Sequence, residues 1–234
     1  MKKWEELPDF LRLPEVRPYY DALMYKRAEL LIKRLLDVFL ASILIIILSI
    51  PMVLIAVLIK MDSPGPIFYR QERVTTYGKC FRIHKFRTMV NHADQLGSTV
   101  TIQNDVRITK IGEKLRGLRL DELPQLIDVL QGNMSFVGTR PESIKYVKAY
   151  EPVYRATLLL PAGITSEASI RFKDEATLLE NVENADSVYL TKVLPIKMKY
   201  NLDAVKHFSL VRDMITMVKT VFAVLGKDYS DGES

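Results

Sequence analysis

The chain has 234 residues and 48% hydrophobic content, enough for one substantial domain or two small ones, and this composition excludes intrinsic disorder. A formal net charge of +5 favours an anionic partner, whether nucleic acid, an acidic membrane surface or a phosphorylated substrate. The single cysteine, Cys80, excludes an intrachain disulfide and a cysteine-cluster metal site, the three histidines show no zinc-ligand spacing, and a reducing, cytoplasmic setting fits best.

Trp4, Pro8, Pro14, Pro18, Tyr19 and Tyr20 mark the N-terminal segment, and the prolines rule out one long helix before a charged candidate helix at Asp21 to Lys33. The aromatics suit a membrane interface or packing onto the domain, and the pattern does not separate the two. The uncharged run Val38 to Ile59 has the length of a bilayer-crossing helix. It starts too far into the chain for a signal peptide and lacks the polar face of a core helix. Lys26, Arg27, Lys33 and Arg34 precede it and Lys60, Arg70 and Arg73 follow, so both flanks carry the charge of the cytoplasmic side. Pro51 lacks an N–H and clashes with the Ile47 carbonyl, which predicts a bend where the Ser49 hydroxyl satisfies a freed backbone group. The expectation is a helix-break-helix hairpin that enters and leaves at the cytoplasmic face, with a kinked spanning helix as the alternative.

Asp62 to Pro66 is a turn cluster, and Ile67 to Val74 and Lys79 to Phe86 read as strands of a β-hairpin closed by Thr75 to Gly78. Lys85 and Arg87 lie near its end, suited to phosphates or to water and lipid headgroups. Asn91 to Asp105 reads as a polar loop with a helical turn. Ile108 to Leu118 adds Lys110, Lys114 and Arg116. Leu123, Leu126, Ile127 and Leu130 form one face of a short helix closed by Gly132, which sets Asp121 at a helix N-terminus with Pro124 in the first turn, the ordinary context of a cap. Such an end keeps a carboxylate ionised and attracts phosphate. Adjacent side chains on a helix diverge by about 100°, so Asp121 and Glu122, flanked by Arg116 and Arg119, address different partners: one to attack, the other to hold a metal. Asn133 to Glu142 reads as a loop presenting Arg140 for bidentate phosphate or carboxylate recognition. An acidic stretch follows Glu167. Leu202, Val205, Phe208, Leu210, Met214, Met217, Val218 and Val221 then form an apolar surface, for the core or for a membrane surface, and the tail after Gly226 is expected to fray.

Lys33-Arg34-Leu-Leu-Asp37, Asp62-Ser-Pro-Gly-Pro66, Tyr69-Arg-Gln71, Lys85-Phe-Arg-Thr-Met89, Leu120-Asp-Glu-Leu-Pro-Gln125 and Met134-Ser-Phe-Val-Gly-Thr-Arg-Pro141, in this order, resemble the bacterial sugar transferases called monotopic phosphoglycosyl transferases. The likeness runs from about Lys33 to Gly163, is weaker over Phe208 to Leu225, and is to the short form with only the catalytic core. Ile50 separates Ser49 from Pro51, Thr139 stands where the family has the first proline of Pro-Arg-Pro, and Pro161-Ala-Gly-Ile-Thr-Ser166 departs from the commoner Pro-Gly-Ile-Thr-Gly. The resemblance implies transfer of a sugar 1-phosphate from a UDP-sugar to polyprenyl (undecaprenyl) phosphate, with release of UMP and a requirement for Mg²⁺, as the first membrane step of glycoconjugate assembly. It implies Asp121 as the nucleophile of a covalent phosphosugar intermediate and Glu122 as the residue tied to the metal. Arg140 then contacts the nucleotide, and Lys85, Arg87, Arg116 and Arg119 complete the substrate-binding set.

The expected fold is α+β, mainly helical: an N-terminal interfacial extension (1–33), a re-entrant membrane helix broken near Pro51 (34–60), a cytoplasmic catalytic domain containing the β-hairpin (61–226) and a disordered tail (227–234). The setting is the bacterial inner membrane with the domain on the cytoplasmic face. The expected partners are UDP-sugar, polyprenyl phosphate and membrane lipids, with a homodimer left open. No nucleic acid is expected, because the arginines are not interleaved with a base-stacking motif. A non-catalytic, membrane-anchored scaffolding protein would carry the same basic surface and apolar hairpin.

Overall fold

The computed structural model describes residues 1–91, 93, 105–172 and 185–224. The central part of the polar loop (94–104), the acidic stretch over 173–184 and the tail at 227–234 lie outside the described residues.

Two 3₁₀ turns, Trp4–Glu6 and Asp9–Leu11, lead into helix α1 (Arg17–Tyr25), where Pro18 occupies the first turn and breaks no intrahelical bond. Helix α2 (Arg27–Asp62) follows, then strands β1 (Phe68–Val74) and β2 (Cys80–Phe86), helices α3 (Lys110–Gly117) and α4 (Gln125–Leu130), strand β3 (Met134–Val137) and helix α5 (Ile144–Lys148). A 3₁₀ stretch, Pro152–Leu159, precedes strand β4 (Ala162–Thr165) and helix α6 (Glu167–Arg171). Beyond the undescribed interval come α7 (Ala185–Val188), a π-helical stretch at Tyr189–Val193, α8 (Leu194–Lys206) and α9 (Leu210–Val224). The described residues are thus mainly helical with two small sheets, in line with the expected α+β class.

The apolar run lies within α2, which extends past it at both ends and is assigned as a single helix with Pro51 inside, so the break expected there is not an interruption of the element. The Ser49 hydroxyl donates to the Ile46 carbonyl at 2.7 Å rather than to the Ile47 carbonyl that Pro51 deprives of its donor. Ala41, Leu44, Leu48, Ile55 and Ile59 recur at helical spacing and cover one face, while Ile46, Ile47, Ile50, Val53, Leu54, Val57 and Leu58 remain exposed. Both ends of α2 are fixed to the same body. Near its start, Arg34 donates to the carbonyls of Val129 (2.6 Å) and Leu130 (2.9 Å), Asp37 accepts from the Phe136 N–H, and Lys33 bridges the Val137 carbonyl and Asp213. At its end, Asp62 accepts from the Ile111 N–H at 3.1 Å, while Ile55 and Ile59 pack with Phe86 and Leu115.

The hairpin forms as the alternation predicts, antiparallel with Phe68 opposite Phe86 and Val74 opposite Cys80. Phe81 and Ile83 turn inward, whereas Cys80 and Arg82 are exposed. The segment read as a loop from Asn133 to Glu142 begins instead with β3, which pairs in parallel with β4. Both strands are four residues long and largely buried, so neither shows the alternation that marks a half-buried strand. The chains meet closely at their ends: a Cβ on Gly163 would lie 2.2 Å from the Gly138 backbone. The N-terminal segment packs onto the domain, with Leu7, Leu11, Val16, Tyr20 and Leu23 joining Val74, Ala156, Leu159, Val205 and Phe208 in one core. The C-terminal apolar surface is divided. Val205 and Phe208 enter that core, α8 ends at Lys206, and α9 leaves Met214, Val218 and Val221 exposed.

Candidate active site

Asp121 and Glu122 lie within a 3₁₀ turn, Leu120–Glu122, between α3 and α4. The chain enters it through Arg119, whose φ of 55° is in the left-handed region and turns the backbone back after α3. Neither this turn nor α4 receives a side-chain capping bond, so the cap reading of Asp121 gives way. Helix α3 does carry one: the Thr109 side chain accepts from the Gly112 N–H at 3.0 Å.

Lys85 from β2 and Arg140 from the loop after β3 converge on one oxygen of Glu122, Oε1, at 2.7 and 2.6 Å. Asp128, fully buried on α4, fixes the height of β2 over this turn by accepting from both the His84 N–H and its ring Nδ1, each at 2.8 Å. Burial opposes the charge on Glu122, but the cations of Arg140 and Lys85 outweigh it and hold the carboxyl well below its ordinary range. Asp121 moves the other way. Burial raises its pKa and the Glu122 charge adds to this, against the opposing pull of Lys85, Arg116 and Arg119. Burial likewise depresses the pKa of Lys85 despite its carboxylate neighbours. The pair therefore consists of a firmly ionised, clamped Glu122 and a less stabilised Asp121 beside it.

These groups line a cleft of about 980 Å³. It gathers Lys85, Arg116, Arg119, Asp121, Glu122 and Arg140 from the sequence-derived set. Arg116 is positioned by its Nε donating to the Thr88 hydroxyl at 2.8 Å. Arg87 is directed elsewhere: its guanidinium donates to the carbonyls of Ser63 (2.6 Å) and Pro64 (3.0 Å), and a Cβ on Gly65 would collide with it. It pins the turn after α2 and does not line the cleft. Arg73, Glu142, Tyr189 and Lys197, absent from the sequence-derived set, are among the other polar residues that line it. Glu142 ends the segment read as a loop and directly follows the motif that closes at Pro141; Tyr189 and Lys197 carry no local signal. Leu44 and Leu48 of α2, with Leu126 and Ile164, give the cleft an apolar side.

Among the described residues no three His, Cys, Asp or Glu side chains gather as a self-sufficient metal site. Two adjacent carboxylates, one of them bonded by Lys85 and Arg140 through Oε1, nevertheless fit an ion that takes its other ligands from phosphates and water, the usual habit of Mg²⁺.

The model of a family described as bacterial sugar transferase matches residues 28–227. The chain is 36% identical, over 83% of its length, to the UDP-N-acetylgalactosamine-undecaprenyl-phosphate N-acetylgalactosaminephosphotransferase of Aeromonas hydrophila, of which it covers 44%. It is 33% identical, over 88% of its length, to the UDP-glucose:undecaprenyl-phosphate glucose-1-phosphate transferase of Escherichia coli, covering 43% of that protein. To a protein of the same description from Caulobacter vibrioides it is 35% identical over 84% of its length, covering 70%. The chain thus spans less than half the length of the first two relatives.

Proposed function

The chain belongs to the bacterial sugar transferase family, and on that premise we propose that it transfers a sugar 1-phosphate from a UDP-sugar to undecaprenyl phosphate at the cytoplasmic face of the membrane, releasing UMP. The observation that carries this reading is the acid pair itself: Glu122 is clamped by Lys85 and Arg140, and Asp121 stands beside it in a cation-lined cleft.

In the proposed reaction an Asp121 carboxylate oxygen bonds to the sugar-bearing phosphorus as the P–O bond to UMP breaks. An oxygen of undecaprenyl phosphate then bonds to the same phosphorus, and the Asp121 oxygen departs as the regenerated carboxylate. The two-step route divides an encounter between two phosphate anions into separate events. Lys85, Arg116, Arg119 and Arg140 supply preorganised positive charge for the phosphoryl oxygens. Asp121 and Glu122 would hold Mg²⁺, whose chemistry when bound is to neutralise phosphate charge. Leu44 and Leu48 offer the isoprenoid chain an apolar side of the cleft that is continuous with α2.

Membrane entry and return of α2 on one face is part of the same proposal. Its support is that Arg34 and Asp37 at one end and Asp62 at the other bond to one domain. A straight helix would separate Arg34 from Asp62 by about 42 Å, more than a hydrocarbon core of about 30 Å. A domain holding both ends cannot lie on two sides of a bilayer.

The test incubates detergent-solubilised protein with polyprenyl phosphate, Mg²⁺ and a panel of UDP-sugars while UMP is followed. UMP release with at least one donor is expected, falling about a thousandfold or more in Asp121→Asn. No release from any donor, or undiminished release from the variant, would reject the mechanism in favour of a membrane-anchored scaffold.

A further inference from the structure

The transfer chemistry leaves one polar group of the cleft unused. Glu142, 8% exposed, accepts a hydrogen bond from the Tyr189 hydroxyl. The Lys197 ammonium, 4% exposed, lies 3.4 Å from that hydroxyl and 5.2 Å from the centre of the Tyr189 ring. The Tyr146 ring sits 4.8 Å from that of Tyr189, and all four residues line the cleft that holds the acid pair. Only Pro141 separates Glu142 from Arg140, so the acid pair and this second group are presented by one stretch of chain.

A buried carboxylate here would hinder phosphate binding. Lys85, Arg116, Arg119 and Arg140 already provide cations for phosphates, whereas Glu142 sets a carboxylate beside the cations Arg73 and Lys197 and offsets their pull on a further anion. A carboxylate only accepts hydrogen bonds, so the groups that suit it are neutral donors. Beside it, an ammonium donates and a phenol can do either, a mixture matched to hydroxyls, which also donate and accept. Tyrosine rings add flat apolar surface for C–H groups. We propose that Glu142, with Tyr189 and Lys197, is a subsite that reads the ring hydroxyls of a carbohydrate in the donor substrate. This rests on the transfer reading above. The hydroxyls belong either to the transferred hexose or to the ribose of the nucleotide, two sources of the same chemistry.

Isothermal titration of the full-length protein in detergent with UMP, UDP-glucose, UDP-galactose and their N-acetylated counterparts tests the subsite in wild type, Glu142→Gln and Tyr189→Phe. Losing a charged acceptor should weaken the preferred UDP-sugar about tenfold or more in Glu142→Gln. If the hexose is read, UMP affinity stays unchanged and the ranking of UDP-sugars flattens; if the ribose is read, UMP and every UDP-sugar weaken by the same factor. Folded variants that bind every ligand as wild type does, or that lose thermal stability alone, overturn the subsite, because a purely structural cluster would do only that. Should Glu142→Gln fail to fold, Tyr189→Phe decides by the same comparison, since it keeps the ring and removes only the hydroxyl that bonds Glu142 and Lys197. Wild type that binds UDP-sugars without releasing UMP would sink the transfer reading and leave the subsite standing. UMP release with unaltered binding in both variants would sink the subsite alone.

Discussion

Asp121 and Glu122 are neighbours in sequence, yet their surroundings push their ionisation in opposite directions, because Lys85 and Arg140 both bond to Glu122. The contrast has consequences for stability that can be separated from catalysis. An acid whose pKa is raised by folding destabilises the folded state once it is ionised, and the penalty shrinks as pH falls through its folded pKa and is gone below the unfolded one. Asp121→Asn should therefore raise the melting temperature at pH 8, by a few degrees at about 2–4 °C per kcal/mol, with the gain shrinking as the solution is acidified. A depressed acid contributes stability that is present above its unfolded pKa and lost as pH falls through the folded one. Glu122→Gln should accordingly lower the melting temperature at pH 8, since Lys85 and Arg140 lose their countercharge, and this loss too should diminish toward low pH. Thermal unfolding of the two variants at several pH values is the measurement. Shifts of the same sign at pH 8 would contradict the assigned electrostatics.

At the level of elements, α3 carries Arg116 to the cleft only because it lies directly on the backbone that leaves β2. A Cβ on Gly112 would fall 2.0 Å from the Thr88 carbonyl oxygen, a main-chain atom with little freedom to yield, and Arg116 is itself bonded to the Thr88 hydroxyl. Gly112→Ala should cost about 1–3 kcal/mol by overpacking and lower UMP release by displacing Arg116. Gly117→Ala, on the same helix with nothing within 4 Å, is the control and should lose no stability. Unchanged melting of Gly112→Ala would show that the helix is not seated as described. The periodicity of local sequence disclosed the hairpin, the apolar helix and the acid pair between its arginines, since each depends on neighbours in the chain. It did not disclose β3 and β4, because short buried strands lack alternation. Nor could it separate Lys85 from Arg87, two positions apart: the strand ends between them, sending one side chain to Glu122 and the other to the turn after α2. Glu142 meets Tyr189 across 47 residues, a distance at which spacing carries no information.

For the molecule as a whole, the long apolar helix poses a topological problem that its length alone leaves open. Basic residues at both flanks point to one side of the membrane, and the domain supplies an independent mechanical reason, since it grips α2 near Arg34 and again at Asp62. The exposed apolar residues between these grips, Ile46, Ile47, Ile50, Val53 and Leu54, surround Pro51, the one residue of the helix that cannot donate a backbone hydrogen bond. Lipid therefore has most to cover where the helix is easiest to bend. In a Cys80→Ser background, cysteines introduced at the exposed positions Ala28 and Lys60 should both resist a membrane-impermeant maleimide in intact cells and both react once the inner membrane is opened. A spanning helix would expose one of the two from outside. Labelling of a single site in intact cells would thus require the domain to release one end of α2, and would exclude entry and return on one face.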